Sequence, residues 1–263
     1  MSFNTIEFKI DAGVAVLTLN RPDKFNSFNT EMHQEVREAL KEVRDNDEIR
    51  CLLLTGNGRA FCAGQDLGDR SVSVGEEAPD LGESVEKNYN PLIRAITSLE
   101  LPVISAVNGV AAGAGSSVAL AADIVLAARS ASFIQSFCKI GVIPDSGSTW
   151  VLPRLVGMAR AKGLALLGNK LPAETAEEWG LIWQCIDDDK LAQESLAMAK
   201  QLATQPTQGL SLIKRALKAS TANSLDEQLE LEKEFMRIAG RTEDYREGVA
   251  AFMEKREAVF QGK

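Results

Sequence analysis

Twenty consecutive residues, Val103 to Ala122, carry no charge. A chain must either bury such a run or place it in lipid. Its length would cover a bilayer, and Gly109 and Gly113 are spaced like a membrane helix-packing motif. Composition decides against a span: the run holds three glycines, three serines and Asn108 but one leucine, and Asp123 follows directly. The pattern predicts a buried strand over Val103–Val107, a Gly-rich turn from Asn108 and a tightly packed helix start. No membrane partner is expected.

Similar β-rich runs recur along the first half. Ile6, Phe8 and Ile10 alternate with polar residues, Asp11-Ala12-Gly13 is a turn, and Val14 to Leu19 is β-rich, so a hairpin is predicted. Met32, Val36, Leu40 and Val43 then recur at helical spacing, which predicts an amphipathic helix. Ile49 to Thr55 and Ile124 to Ala128 read as further buried strands. Strands alternating with helices predict an α/β fold with a mainly parallel sheet. Between Asp69 and Asn90 the chain is polar and acidic, and a mobile loop or a short helix flanking a pocket is expected. The second half is helical in pattern: a start at Leu171-Pro172-Ala173-Glu174, then Leu191 to Ala203 and Leu210 to Ala219. Ser224 to Glu227 forms a capping-box sequence leading into Leu225, Leu229 and Phe235. We divide the chain into a core over residues 1–200 and a helical C-terminal region over 201–263.

Charge and rare residues exclude several functions. With 29 basic against 37 acidic side chains the net charge is −8, which argues against a partner held by many phosphate contacts; nucleic acid is not expected. Cys51, Cys62, Cys138 and Cys185 form no C-x-x-C pair and are expected to be buried free thiols of a cytoplasmic protein. The single histidine, His33, leaves no multi-histidine metal site, so no metal is expected. Proton chemistry falls to carboxylates. His33 itself is expected to be a solvated helix residue. The dinucleotide fingerprint lacks its third glycine after Gly113-Ala-Gly115, no phosphate-binding G-x-x-x-x-G-K-[ST] run exists, and Ser146 and Ser148 lack a G-x-S-x-G frame.

Two Gly-containing turns remain, each after a buried strand: Phe61 to Leu67 and Asn108 to Gly115. Small residues there allow backbone N–H groups to approach a ligand closely, and two converging donors are what an oxyanion hole requires.

NRPDKFNSFN (20–29), AFCAGQDL (60–67), PVISAVNGVAAGAGSS (102–117) and IGVIPDSGSTWVLPRLVGMARA (140–161) resemble the enoyl-CoA hydratase/isomerase (crotonase) superfamily in that order. The resemblance implies a right-handed spiral of ββα turns with a helical C-terminal trimerisation region. It also implies an acyl-CoA substrate whose thioester carbonyl lies in a two-amide oxyanion hole, formed by the backbone N–H groups of Gln65 and Ala114. Lys24, Phe25, Ala63, Asp66 and Leu67 fall where the family binds CoA. No separate cofactor is implied, since CoA belongs to the substrate; a homotrimer or a dimer of trimers is.

The chain departs from the hydratases of that family at Ser117 and Phe137, where they carry the two glutamates that activate water. Asp145, in Ile143-Pro144-Asp145-Ser146-Gly147, is the carboxylate that remains, at a position where isomerase branches carry an Asp. Apolar neighbours such as Phe137 and Trp150 would suit it to act as both base and acid. A dehalogenase branch uses the same Asp as a nucleophile but needs a histidine after the first turn, and His33 lies elsewhere. APDLGESVEKNYNPLIRAI (78–96), LALLGNKL (164–171), LATQPTQGLSLIKRAL (202–217) and AGRTEDYREGVAAFMEKR (239–256) resemble the branch that turns ring-1,2-epoxyphenylacetyl-CoA into oxepin-CoA in bacterial phenylacetate breakdown. An acyl-CoA isomerase with Asp145 as acid/base is therefore expected. The alternatives are a Δ3,Δ2-enoyl-CoA isomerase or hydratase-like enzyme of fatty-acid or aromatic degradation, and a non-enzymatic acyl-CoA- or RNA-binding member of the fold.

Overall fold

The computed structural model describes residues 3–66, 68 and 80–263. It opens with the hairpin of β1 (Ile6–Asp11) and β2 (Val14–Leu19), paired antiparallel through the turn at Ala12 and Gly13. Helix α1 (Thr30–Asp45) follows, capped by the Asn29 side chain, which accepts the Met32 N–H. From there the chain repeats one unit three times. Strands β3 (Cys51–Gly56) and β4 (Ala60–Cys62) lead to α2 (Leu81–Ser84), a π turn over Val85–Tyr89 and α3 (Asn90–Ser98). Strands β5 (Val103–Val107) and β6 (Val110–Ala112) lead to α4 (Ala114–Leu120). Strands β7 (Ile124–Ala128) and β8 (Ser132–Ile134) lead to α5 (Ser148–Leu167), which breaks at Gly157.

Each unit gives its first strand to one sheet and its second to another. Among the described residues the first sheet runs β1-β2-β3-β5-β7-β10 and the second β4-β6-β8-β9, with β9 spanning Lys170–Pro172 and β10 Gln184–Ile186. From β2 onward the first sheet is parallel, and β4, β6 and β8 are parallel to one another. This is the stack of ββα turns that the resemblance implies. Parallel strands are covered on both faces. All five residues of β5 and the first four of β3 are accordingly buried. Leu17, Leu52, Leu54, Ile104 and Leu126 are almost wholly removed from water, each contributing about 1.5–3 kcal/mol.

The uncharged run of Val103 to Ala122 is thus divided among β5, β6 and α4, and no helix of the described residues is long and apolar enough to cross a membrane. Helices α6 (Ala173–Glu178), α7 (Leu191–Ala203) and α8 (Thr207–Ser220) come next, then α9 (Leu225–Ala239) and α10 (Glu243–Glu254). The capping box at Ser224 and Glu227 forms.

Of the stretch from Asp69 to Asn90, residues 69–79 lie outside the described residues, while 81–90 are helical, the short-helix alternative of the expectation, and Tyr89 there is buried. One expectation changes. His33 is 5% exposed instead of solvated, its ring 4.7 Å from those of both Phe28 and Tyr89. The buried face of α1 is wider than the Met32–Val36–Leu40 stripe. Glu35 belongs to it as well, accepting hydrogen bonds from the N–H groups of Asn4 (2.7 Å) and Thr5 (2.8 Å) and from the Thr5 hydroxyl. Burial pushes the Glu35 carboxyl up, but these donors outweigh it and hold the group below its ordinary value. The carboxylate pins the chain's N-terminal segment to α1. All four cysteines are free, Cys51 and Cys62 buried, Cys138 and Cys185 half-buried.

Candidate active site

Because β4, β6 and β8 are adjacent and parallel, their C-terminal ends emerge side by side, neighbouring strands in a sheet being about 4.8 Å apart. In open sheets of this kind the crevice beyond the carboxyl ends is the usual ligand position. The first exit is Ala63-Gly64-Gln65. Phe28 bridges it in parallel register: the Phe28 N–H donates to the Gly64 carbonyl (2.7 Å) and the Asp66 N–H to the Phe28 carbonyl (2.8 Å). This alternation turns the Gln65 N–H to the opposite side, where it has no acceptor among the described residues. The second exit is Gly113, with φ 52° and ψ −129°, a conformation open to glycine alone. Ala114 opens α4, and its N–H lacks an acceptor within the helix.

The two exits are in contact. A Cβ added to Gly64 (φ 90°) would lie 3.2 Å from the Ala114 nitrogen and 3.0 Å from the Ala112 carbonyl oxygen. One added to Gly115 would stand 2.2 Å from the Cys62 carbonyl oxygen. Glycine at 64 and 115 is what lets the turns close on each other. Two unoccupied donors are therefore held next to one another by main chain alone, as an oxyanion hole needs. Burial pushes the adjacent Cys62 thiol up to about 12, so it stays protonated at neutral pH and is no nucleophile.

The third exit supplies Phe137 and Asp145. Phe137 is buried, and its ring edge comes within 4.0 Å of where a Cβ on Gly113 would sit. Asp145 lies on the loop before α5 and is half-buried. Its carbonyl accepts the Ser148 N–H at 3.0 Å and the Ser117 hydroxyl at 3.4 Å, and Ser117 and Ser148 share a hydrogen bond of 2.6 Å. The Ser146 hydroxyl donates to Asp145 Oδ1 at 2.8 Å. The Asp145 loop is thus laced to the first turn of α4, three residues beyond Ala114. Trp150 is exposed on α5, with Arg154 stacked on its ring.

Of the five residues assigned to CoA, Phe25, Ala63 and Asp66 are joined at one edge of the first exit. The Phe25 carbonyl accepts the Ala63 N–H at 2.9 Å, and Asp66 pairs with Arg21 at 2.9 Å. That hydrogen bond from Arg21 holds the Asp66 carboxyl below its ordinary value, so it is ionised and occupied rather than a base. Lys24 is exposed on the same loop, and Leu67 lies outside the described residues. Sequence reasoning missed Tyr89, whose hydroxyl donates to Gln65 Oε1 at 3.0 Å; one aromatic side chain in a polar stretch carries no periodic signal.

The family model for enoyl-CoA hydratase/isomerase matches residues 9–263. The chain is 60% identical over 254 residues, 97% of either chain, to the 1,2-epoxyphenylacetyl-CoA isomerase of Escherichia coli K12. It is 47% identical over the full length of both chains to a Rhodobacter capsulatus protein named "Probable enoyl-CoA hydratase". Among solved structures it is similar to an enoyl-CoA hydratase from Bacillus anthracis, with a TM-score of 0.90, 31% identity, and coverage of 99% of this chain and 100% of that one.

Proposed function

Since this chain belongs to the enoyl-CoA hydratase/isomerase family, we propose that it is an acyl-CoA isomerase that turns ring-1,2-epoxyphenylacetyl-CoA into its oxepin-CoA isomer. The observation that carries this reading is the pairing of two contacting Gly turns with a carboxylate loop laced to the second of them through Ser117 and Ser148. The Gln65 and Ala114 N–H groups hold the thioester oxygen, where negative charge grows as the acyl group enolises. Each such donor is worth about 3 kcal/mol of barrier. Asp145 takes a proton from the carbon next to the thioester, the bond between the two epoxide carbons opens to give the seven-membered ring, and Asp145 returns the proton at a ring carbon, so no atom is gained or lost. Lys24, Phe25, Ala63, Asp66 and Leu67 border the CoA moiety. At the glutamate positions of hydratases this chain has the Ser117 hydroxyl and the Phe137 ring, which cannot deprotonate a water. The 60% identity to the isomerase named above supports the ring-epoxide substrate.

A substrate panel tests the assignment. Ring-epoxide phenylacetyl-CoA should turn over with a higher kcat/KM than linear 3-enoyl-CoAs, followed by ultraviolet absorbance and product mass. Turnover confined to 3-enoyl-CoAs would move the assignment to a Δ3,Δ2-enoyl-CoA isomerase.

The same reading extends to assembly as a homotrimer or a dimer of trimers. Helix α9 buries none of its residues, and Leu225, Leu229 and Met236 on it are exposed together with Phe252 and Met253 on α10. Apolar surface of that extent marks an interaction face. Light scattering should give three or six times the protomer mass; a monomer would overturn the assembly.

A further inference from the structure

We propose that Tyr89 is a positioning residue of the oxyanion hole, holding the Gln65 side chain and through it the peptide that presents the Gln65 N–H. This rests on the acyl-CoA reading above. Tyr89 is 1% exposed although its neighbours Lys87 and Asn88 are polar, Lys87 exposed and Asn88 half-buried. It closes the π turn over Val85–Tyr89, in which the Asn90 N–H donates to the Val85 carbonyl. An extra residue in a helix rotates the succeeding side chains around the axis, and such turns collect at functional sites. Here the turn leads to a phenol directed at Gln65.

Gln65 is bonded at both ends of its amide: Oε1 accepts the Tyr89 hydroxyl at 3.0 Å, and Nε2 donates to the Asp66 carbonyl at 3.3 Å. The Tyr89 ring stands edge-on to His33 (4.7 Å between centroids) and to Phe28 (6.1 Å). Phe28 is also the residue whose main chain clasps Gly64 and Asp66. One aromatic cluster therefore braces Gln65 from two directions, by main chain through Phe28 and by side chain through Tyr89. Stabilisation of a growing oxyanion depends on donors that need no reorganisation as charge appears. A Gln65 peptide that can rock polarises the carbonyl less and loses most in the transition state, while the affinity for a neutral thioester changes little. The expected signature is a loss in kcat without a matching rise in KM.

Tyr89→Phe keeps the ring and removes the hydroxyl. Its kcat should fall about tenfold with KM within about twofold of the parent. The direct readout uses an unreactive saturated acyl-CoA carrying a ¹³C-labelled thioester carbonyl, whose infrared stretch should move to lower frequency on binding the parent enzyme and less far on binding Tyr89→Phe. Gln65→Ala, which keeps the backbone N–H but loses the acceptor, should reproduce the smaller shift even if the tyrosine variant folds poorly. The double variant should be no worse than Gln65→Ala alone, as expected of two groups acting through one contact. A parental shift and kcat in Tyr89→Phe, or additive losses in the double variant, would overturn Tyr89's role alone. A parent enzyme that leaves the carbonyl unshifted would overturn the oxyanion hole, and Tyr89's role with it.

Discussion

Asp145→Asn is expected to lower isomerase turnover by about 10²–10⁴-fold, the range for removing a general acid/base, while acyl-CoA still binds. The reason lies in how the loop is held. Its ties to Ser148 and Ser117 run through the Asp145 main-chain carbonyl, which the substitution leaves in place. The side-chain bond from Ser146 reaches Oδ1, and an asparagine carbonyl oxygen can accept it equally. Shape and loop survive, and the lost property is the ability to accept a proton. Turnover of ring-epoxide phenylacetyl-CoA together with calorimetric titration of a saturated acyl-CoA checks this. Parental turnover would refute Asp145 as the acid/base, whereas loss of binding would mean that the residue builds the pocket.

Gly64→Ala is the second large effect. At φ 90° an L side chain is strained by about 1–3 kcal/mol. Its methyl would also press within 3.2 Å of the Ala114 nitrogen and 3.0 Å of the Ala112 oxygen. Relief requires the two turns to separate, which moves the donors off the thioester oxygen. We expect kcat to fall about 10²–10³-fold, as for loss of an oxyanion donor, with denaturant unfolding showing a modest loss of stability. A folded Gly64→Ala enzyme with parental kcat would mean that the contact between the turns does not govern the hole. Gly115 is a poorer probe. A methyl 2.2 Å from the Cys62 carbonyl oxygen cannot be accommodated without parting α4 from β4, so folding itself would fail.

The parts of this site that are legible in the sequence are those where backbone geometry demands a residue type. Gly64 and Gly113 sit at positive φ, and Gly115 at a close approach, so the requirement is written as glycine at fixed places. The hairpin, α7 and the capping box at Ser224 are readable because a local pattern suffices for each. Strands β4, β6, β8, β9 and β10 have three residues apiece, too few for any period to register. Their pairing is decided by the neighbouring turn of the stack. The burial of His33 escapes the sequence for a related reason. Helical spacing marks Met32 and Val36 as the inner stripe, but Phe28 on one flank and Tyr89 on the other widen what is covered. Neither is visible from the helix's own sequence.

The three aligned strand exits carry a division of labour. Under the proposed reading, polarising the thioester belongs to the first two exits and is done by peptide N–H groups, which only a proline at 65 or 114 would remove outright. Moving the proton belongs to a side chain, Asp145 beyond the third exit, while the Ser117 hydroxyl and the Phe137 ring stand where hydratases of the family carry glutamates. The scaffold thus separates a constant half of the reaction from a variable half. Exchanging a carboxylate for a hydroxyl or a ring at those few positions redirects the chemistry while the strands, the turns and the grip on the thioester stay as they are.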